Sequence, residues 1–133
     1  MTNSSSNPCP PRIVGAGMIV LDIILNNGSP PIHMAGGSCG NVLAGLSFLG
    51  WQSIAISRAG RDIARNIMVN DLKRDGVESV FITEEPNIKT PRVIEKLNSN
   101  GLYAKHSFVL RCSSCNEYLP RFHNLRINTA DEV

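Results

Sequence analysis

Aromatic residues, one-sided charge and long apolar runs are all scarce in this sequence, and each shortage removes a class of function. Aromatics make up 5% of the chain, with a single Trp. Thirteen Lys and Arg face eleven Asp and Glu, for a net charge of +2. That balance leaves no electrostatic footprint for nucleic acid, and no basic cluster is interleaved with aromatics. No apolar run approaches the roughly 20 residues that a membrane helix needs. The most apolar stretch, Ile13–Leu25, is interrupted by Gly15, Gly17 and Asp22. It has no charged leader and no clear cleavage site, so a secretion signal is not expected and the cytoplasm is the expected compartment. Without secretion, Cys9, Cys39, Cys112 and Cys115 are expected to be reduced. A Walker A pattern and a GxGxxG pattern are both missing, so neither standard phosphate loop is present.

What is there is ordinary globular material. The 133 residues suffice for one domain or a large piece of one, and the apolar content is 42%. Residues 1–12, MTNSSSNPCPPR, are polar and Pro-rich and read as a disordered arm. Ile13–Leu25 is rich in β-branched residues and predicts a strand, a bend near Gly17 and a second strand. Asn26–Pro31 is a turn cluster, and His33–Gly37 leads into a Gly-rich loop. Ser38 is a candidate cap for a helix to about Leu49, where Val42, Leu43, Leu46 and Leu49 recur at helical spacing and Gly50 supplies the stop. Ser53–Ser57 predicts a buried strand. Asp62 is a candidate cap for a second helix, Ile63–Arg74, with Ile67, Met68 and Leu72 inward and Gly76 ending it. Val77–Thr83 predicts a third strand. This alternation implies an α/β fold with a parallel sheet. Arg92–Leu97 and Leu102–Leu110 then alternate around the hairpin signal Asn100-Gly101, predicting a small antiparallel accessory sheet.

The chemistry centres on Gly36-Gly37, followed four residues later by Asn41. Two glycines let a ligand approach the backbone because no Cβ intervenes. A helix start offers free N–H groups, and Asn41 adds an amide that both donates and accepts. Such a site suits a polyol better than a phosphate.

Gly50, Gly60, Asp62, Leu72 and Gly76-Val77 follow Asn41 in a fixed succession. With Gly15 and Asp22 upstream, this resembles the amino-terminal signature of the PfkB/ribokinase-like carbohydrate kinases over about Ile13–Leu97. The resemblance implies a partial ribokinase-like fold: a parallel sheet with flanking helices, plus a small antiparallel lid sheet. It implies that Asp22 and Asn41 bind sugar hydroxyls through side chains, and Gly36 and Gly37 through the backbone. It implies transfer of the ATP γ-phosphate to a sugar or related alcohol, with ATP and Mg as cofactors and a homodimer formed through the lid. Cys39, Leu43, Arg65 and Thr90-Pro91 depart from the family's usual residues. Its second signature, an Asp-x-x-Gly-Ala-Gly-Asp-like segment with the catalytic base, is not found. The expected layout is therefore an arm at 1–12, the front of the α/β domain at 13–87, a lid hairpin at 88–110 and a Cys-containing tail at 111–133. It is expected to be truncated before the catalytic half and inactive alone.

Cys112-Ser-Ser-Cys115 has the spacing of half a zinc site, and His106 and His123 would complete four ligands. A lone CxxC with unpatterned histidines favours the plainer reading of two loop thiols beside the lid. The alternatives to a kinase are a non-catalytic sugar-binding or dimerisation module and a small zinc-dependent interaction protein.

Overall fold

A computed structural model of the chain describes residues 9–98, 103–113 and 115–119. Seven strands and two helices follow in the order β1 (Arg12–Ala16), β2 (Val20–Leu25), β3 (Ile32–Gly36), α1 (Ser38–Phe48), β4 (Gln52–Gly60), α2 (Ile63–Arg74), β5 (Ile82–Glu85), β6 (Arg92–Leu97) and β7 (Ala104–Val109). They form two sheets. The first is parallel with order β1-β4-β5, and the second has order β3-β2-β6-β7. The expected fold class stands. The second sheet is mixed rather than antiparallel, because β2 joins it and pairs parallel to β6.

The first sheet is built around β4, whose residues are nearly all buried. Parallel strands covered on both faces read as continuous apolar runs, as Ile54, Ala55 and Ile56 do here. Leu43 of α1 and Met68, Val69 and Leu72 of α2 close over this sheet with Ala55, Ala59 and Ile82. Leu21 of β2 joins the same core, so the second sheet shares it at one end. Among the described residues no helix is long and apolar enough to cross a membrane.

Several local expectations change. The segment 33–37 is strand as far as Gly36, paired antiparallel to β2. Its pattern was hidden because an edge strand need not alternate cleanly, and β3 is mostly exposed. The third parallel strand starts at Ile82, not Val77, because the Ile82 N–H turns back to the Ser79 carbonyl and Glu78 makes only an isolated bridge to Ile54. On α1 only Leu43 of the four apolar positions is buried, while Val42 and Leu49 are exposed. The Asn100-Gly101 turn, most of the arm and the tail beyond 119 lie outside the described residues.

Candidate functional site

Two chain segments meet where the sheets join. β3 ends at Gly36, and Gly37 occupies the N-cap of α1 with φ +84°. No side chain caps this helix, so Ser38 is not the cap. The Cys39 N–H instead donates to the Met18 carbonyl, in the bend between β1 and β2, at 3.1 Å. A backbone acceptor thus takes the place of a capping hydroxyl. Gly37 is required twice over. Its left-handed φ disfavours any side chain, and a Cβ there would lie 2.5 Å from the Met18 oxygen.

Gly36 is required for another reason. A Cβ on it would fall inside the carboxylate of Asp22. Asp22 sits in the middle of β2, half-buried, with Met34 beside it on β3 and Val93 on β6. The sequence-predicted pair Asp22 and Gly36 is therefore in contact, and Gly37 follows at once. Asn41 lies exposed in the first turn of α1, where its N–H donates to the Gly37 carbonyl at 2.9 Å.

Strand register extends the site. Paired residues share a face, and successive residues alternate faces. Two rows cross the second sheet on the Asp22 face: Met34, Asp22, Val93, Phe108, and Ile32, Ile24, Glu95, His106. His106 Nε2 lies 3.4 Å from a Glu95 carboxylate oxygen, and its ring stacks beside Phe108. Burial pushes the Asp22 carboxyl above its ordinary value, Glu95 adds to the rise, and His106 opposes it. His33, Arg92, Lys96 and Lys105 all fall on the opposite face. The Asp22 face therefore carries hydrogen-bond acceptors over apolar side chains, and no Lys or Arg among its described strand residues.

Glu95 has no motif around it, and only the β2–β6 and β6–β7 registers place it near Asp22. A period-two alternation in Arg92–Leu97 was the one available signal. Beside this region, a cleft of about 390 Å³ runs between β1 and the start of α1. It is lined by Ile13–Gly17, Ser38, Cys39, Val42 and Leu43, and so excludes Asp22 and Gly36. Burial raises the Cys39 thiol pKa, and its side chain packs against Gly15 and Gly17.

The zinc reading calls for four ligands, of which three are described. Among the described residues no three His, Cys, Asp or Glu side chains gather as metal ligands, so His106, Cys112 and Cys115 do not form a set. Cys112 is buried and Cys115 exposed, at the two ends of a turn in which the Asn116 N–H donates to the Cys112 carbonyl. His123 lies outside the described residues.

No protein-family model and no curated protein matches this chain. Solved structures do. A fructokinase from Vibrio cholerae O395, in apo form, aligns with a TM-score of 0.67 and 23% identity, over 76% of this chain and 34% of that one. Ribokinase from Arabidopsis thaliana, complexed with ribose and ATP, aligns with a TM-score of 0.62 and 21% identity, over 75% and 36%. A 2-dehydro-3-deoxygluconokinase from Thermotoga maritima gives 0.63 and 15%, over 74% and 32%. The chain spans about a third of the length of these structures, and over that span it has the ribokinase-like fold of sugar kinases.

Proposed function

We propose that this ribokinase-like unit is the sugar-binding part of a PfkB-type carbohydrate kinase, and that it takes a neutral hydroxylated ligand. The observation that carries this reading is the Asp22 carboxylate seated against the bare Cα of Gly36, two residues before the helix that bears Asn41. A carboxylate accepts hydroxyl hydrogens, a side-chain amide both donates and accepts, and the bare Gly36 backbone is what lets the Asp22 carboxylate sit at this turn. Partition of charge between the two faces of the second sheet supports a neutral ligand. Glu95 beside Asp22 repels sugar acids and phosphates, while Phe108 offers an apolar surface to ring C–H groups.

In a whole kinase of this kind, ATP would supply the phosphoryl group and Mg would neutralise its charge. On the Asp22 face the described residues do not fit a phosphate. That face has no Lys or Arg among its described strand residues. What these residues can do is bind and orient the acceptor alcohol.

Calorimetric or NMR titration of the 133-residue chain with neutral pentoses, hexoses and polyols tests the reading. Binding is expected for at least one neutral sugar, weakened at least tenfold in Asp22→Asn, with sugar acids bound more weakly and no phosphorylation from Mg-ATP. A folded chain that binds no neutral hydroxylated compound overturns the sugar site, and measurable sugar phosphorylation overturns the division of labour.

A further inference from the structure

The two sheets are joined by three chain crossings: β1 to β2, β3 to α1, and β5 to β6. The first is held by the Met18 carbonyl, which accepts the Cys39 N–H. The other two are held by carboxylates at the two ends of α2. Near its end, Asp71 is 6% exposed, and its Oδ2 accepts the Ala35 N–H at 2.6 Å. Ala35 is the last residue before Gly36. Its amide points away from β2, since β3 is an edge strand there, and Asp71 satisfies what would otherwise be an unpaired donor. Arg74, one turn along the helix, pairs with the other Asp71 oxygen.

At the other end, Asp62 caps α2 by accepting the Arg65 N–H at 3.0 Å. The same carboxylate accepts the Thr90 N–H at 3.1 Å and the Thr90 hydroxyl at 2.6 Å. Thr90 is 1% exposed and in turn accepts the Gly60 N–H at 3.1 Å. It lies two residues before β6. Arg92, the first residue of β6, reaches Asp62 at 3.7 Å.

One helix therefore grips the second sheet at two points. Nine residue steps separate Asp62 from Asp71, a rise of about 13.5 Å at 1.5 Å per residue. One grip would leave the sheet free to turn in any direction about it, and two grips on a rigid rod confine it to rotation about the line that joins them. The grips fall on the residue before the Gly36-Gly37 turn and on the lead into the strand that carries Glu95. We infer that α2 is a strut, and that Asp71 and Thr90 are positioning residues that hold the second sheet in register with the Gly36-Gly37 turn. The consequence for ligand binding rests on the sugar-site reading, while the strut itself does not.

Amide hydrogen exchange on the full chain without ligand tests the strut. Asp71→Leu removes the acceptor, Asp71→Asn keeps one, and Thr90→Val removes the hydroxyl while leaving the Asp62 cap of α2 in place. In Asp71→Leu, exchange at Ala35–Cys39 is expected to rise at least tenfold while β4 amides keep their rates, and Asp71→Asn is expected to restore protection. Thr90→Val is expected to do the same locally around residues 88–92. Exchange that rises equally in β4 and at the crossings would mean simple loss of stability, and would overturn the strut. If Asp71→Leu does not fold, Thr90→Val and the pair Asp71→Asn with Thr90→Val decide on the same readout. Calorimetry with whichever neutral sugar binds the parent chain then tests positioning. Affinity that falls in step with local exchange supports it, and unchanged affinity with locally fast exchange overturns it. A parent chain that binds no sugar overturns the site reading and leaves the exchange result to judge the strut alone.

Discussion

β4 and β7 are both strands of ordinary length, yet they sit in opposite conditions. Most of β4 is buried, while every residue of β7 after Ala104 is exposed. The parallel sheet is a core element clamped by Leu43, Met68 and Leu72. The second sheet enters that core only at one end, through Leu21 with Ile23 and Ala35 packed against it. The candidate site lies where the two conditions meet. Asp22 belongs to the sheet that is mostly open, and Gly37 to the helix that is packed down. On the proposed reading, a ligand there would lie between the packed half and the half that the strut positions.

The largest test of this contrast is a pair of truncations. Leu72→Ala, at 1% exposure, is expected to lower unfolding free energy by about 2–5 kcal/mol, the range for buried leucines. Phe108→Ala, at 60% exposure on the second sheet, is expected to change it by less than about 0.5 kcal/mol. Urea denaturation of both measures the difference. Equal losses would mean that the second sheet is as firmly packed as the first.

A smaller effect is expected at the junction itself. Gly37→Ala places a Cβ 2.5 Å from the Met18 oxygen at φ +84°, and should cost about 1–3 kcal/mol. Gly36→Ala should lose ligand affinity as well, since the new methyl displaces the Asp22 carboxylate. Thermal unfolding and sugar titration of the two variants separate a backbone fault from a site fault.

Parts of this arrangement are legible in residue order and parts are not. α2 has both its ends written locally, with Asp62 at the start and Gly76 after the end, and its observed limits match the expected ones. Gly36, Gly37 and Asn41 stand out because backbone approach and amide chemistry need those residue types close together. β3 was unreadable because an exposed edge strand carries no burial pattern, and Pro30-Pro31 before it reads as turn. The Ser38 cap failed because its job is done by Met18, which is distant along the chain. Glu95 was invisible for the same reason. Its nearness to Asp22 depends on pairing β2 with β6, strands about 70 residues apart, and no local signal encodes a register of that separation.

The strut has a pH signature weaker than either truncation pair. Burial works to raise the Asp62 carboxyl, but bonds from the Thr90 hydroxyl, the Thr90 and Arg65 amides and the Arg92 charge together hold it below its ordinary value of 3.8. A depressed carboxyl adds stability above its unfolded pKa and loses it as pH falls through the folded one. Stability should therefore be flat from neutral pH down to about 5 at this group, and should fall below about 4. Asp62→Asn should remove that part of the acid dependence while keeping the α2 cap, since Asn caps a helix about as well as Asp. Urea midpoints at pH 7, 5 and 3 for both chains check the sign.

The smallest stability effect is expected at Asp22, and its direction is opposite. Burial and the Glu95 charge raise this carboxyl, so at neutral pH its ionised form is less favourable in the folded chain than in the unfolded one. Asp22→Asn removes that disadvantage and keeps the shape. It should raise the melting temperature slightly while lowering affinity for a neutral sugar at least tenfold. Glu95→Gln should shift stability the same way by easing the repulsion, with a smaller effect on binding, because it leaves Asp22 in contact with Gly36. A group that weakens the fold and strengthens binding is held for its chemistry. Differential scanning fluorimetry beside calorimetry reads both quantities, and a destabilised Asp22→Asn that still binds sugar would make Asp22 a structural carboxylate and move the site elsewhere on the junction.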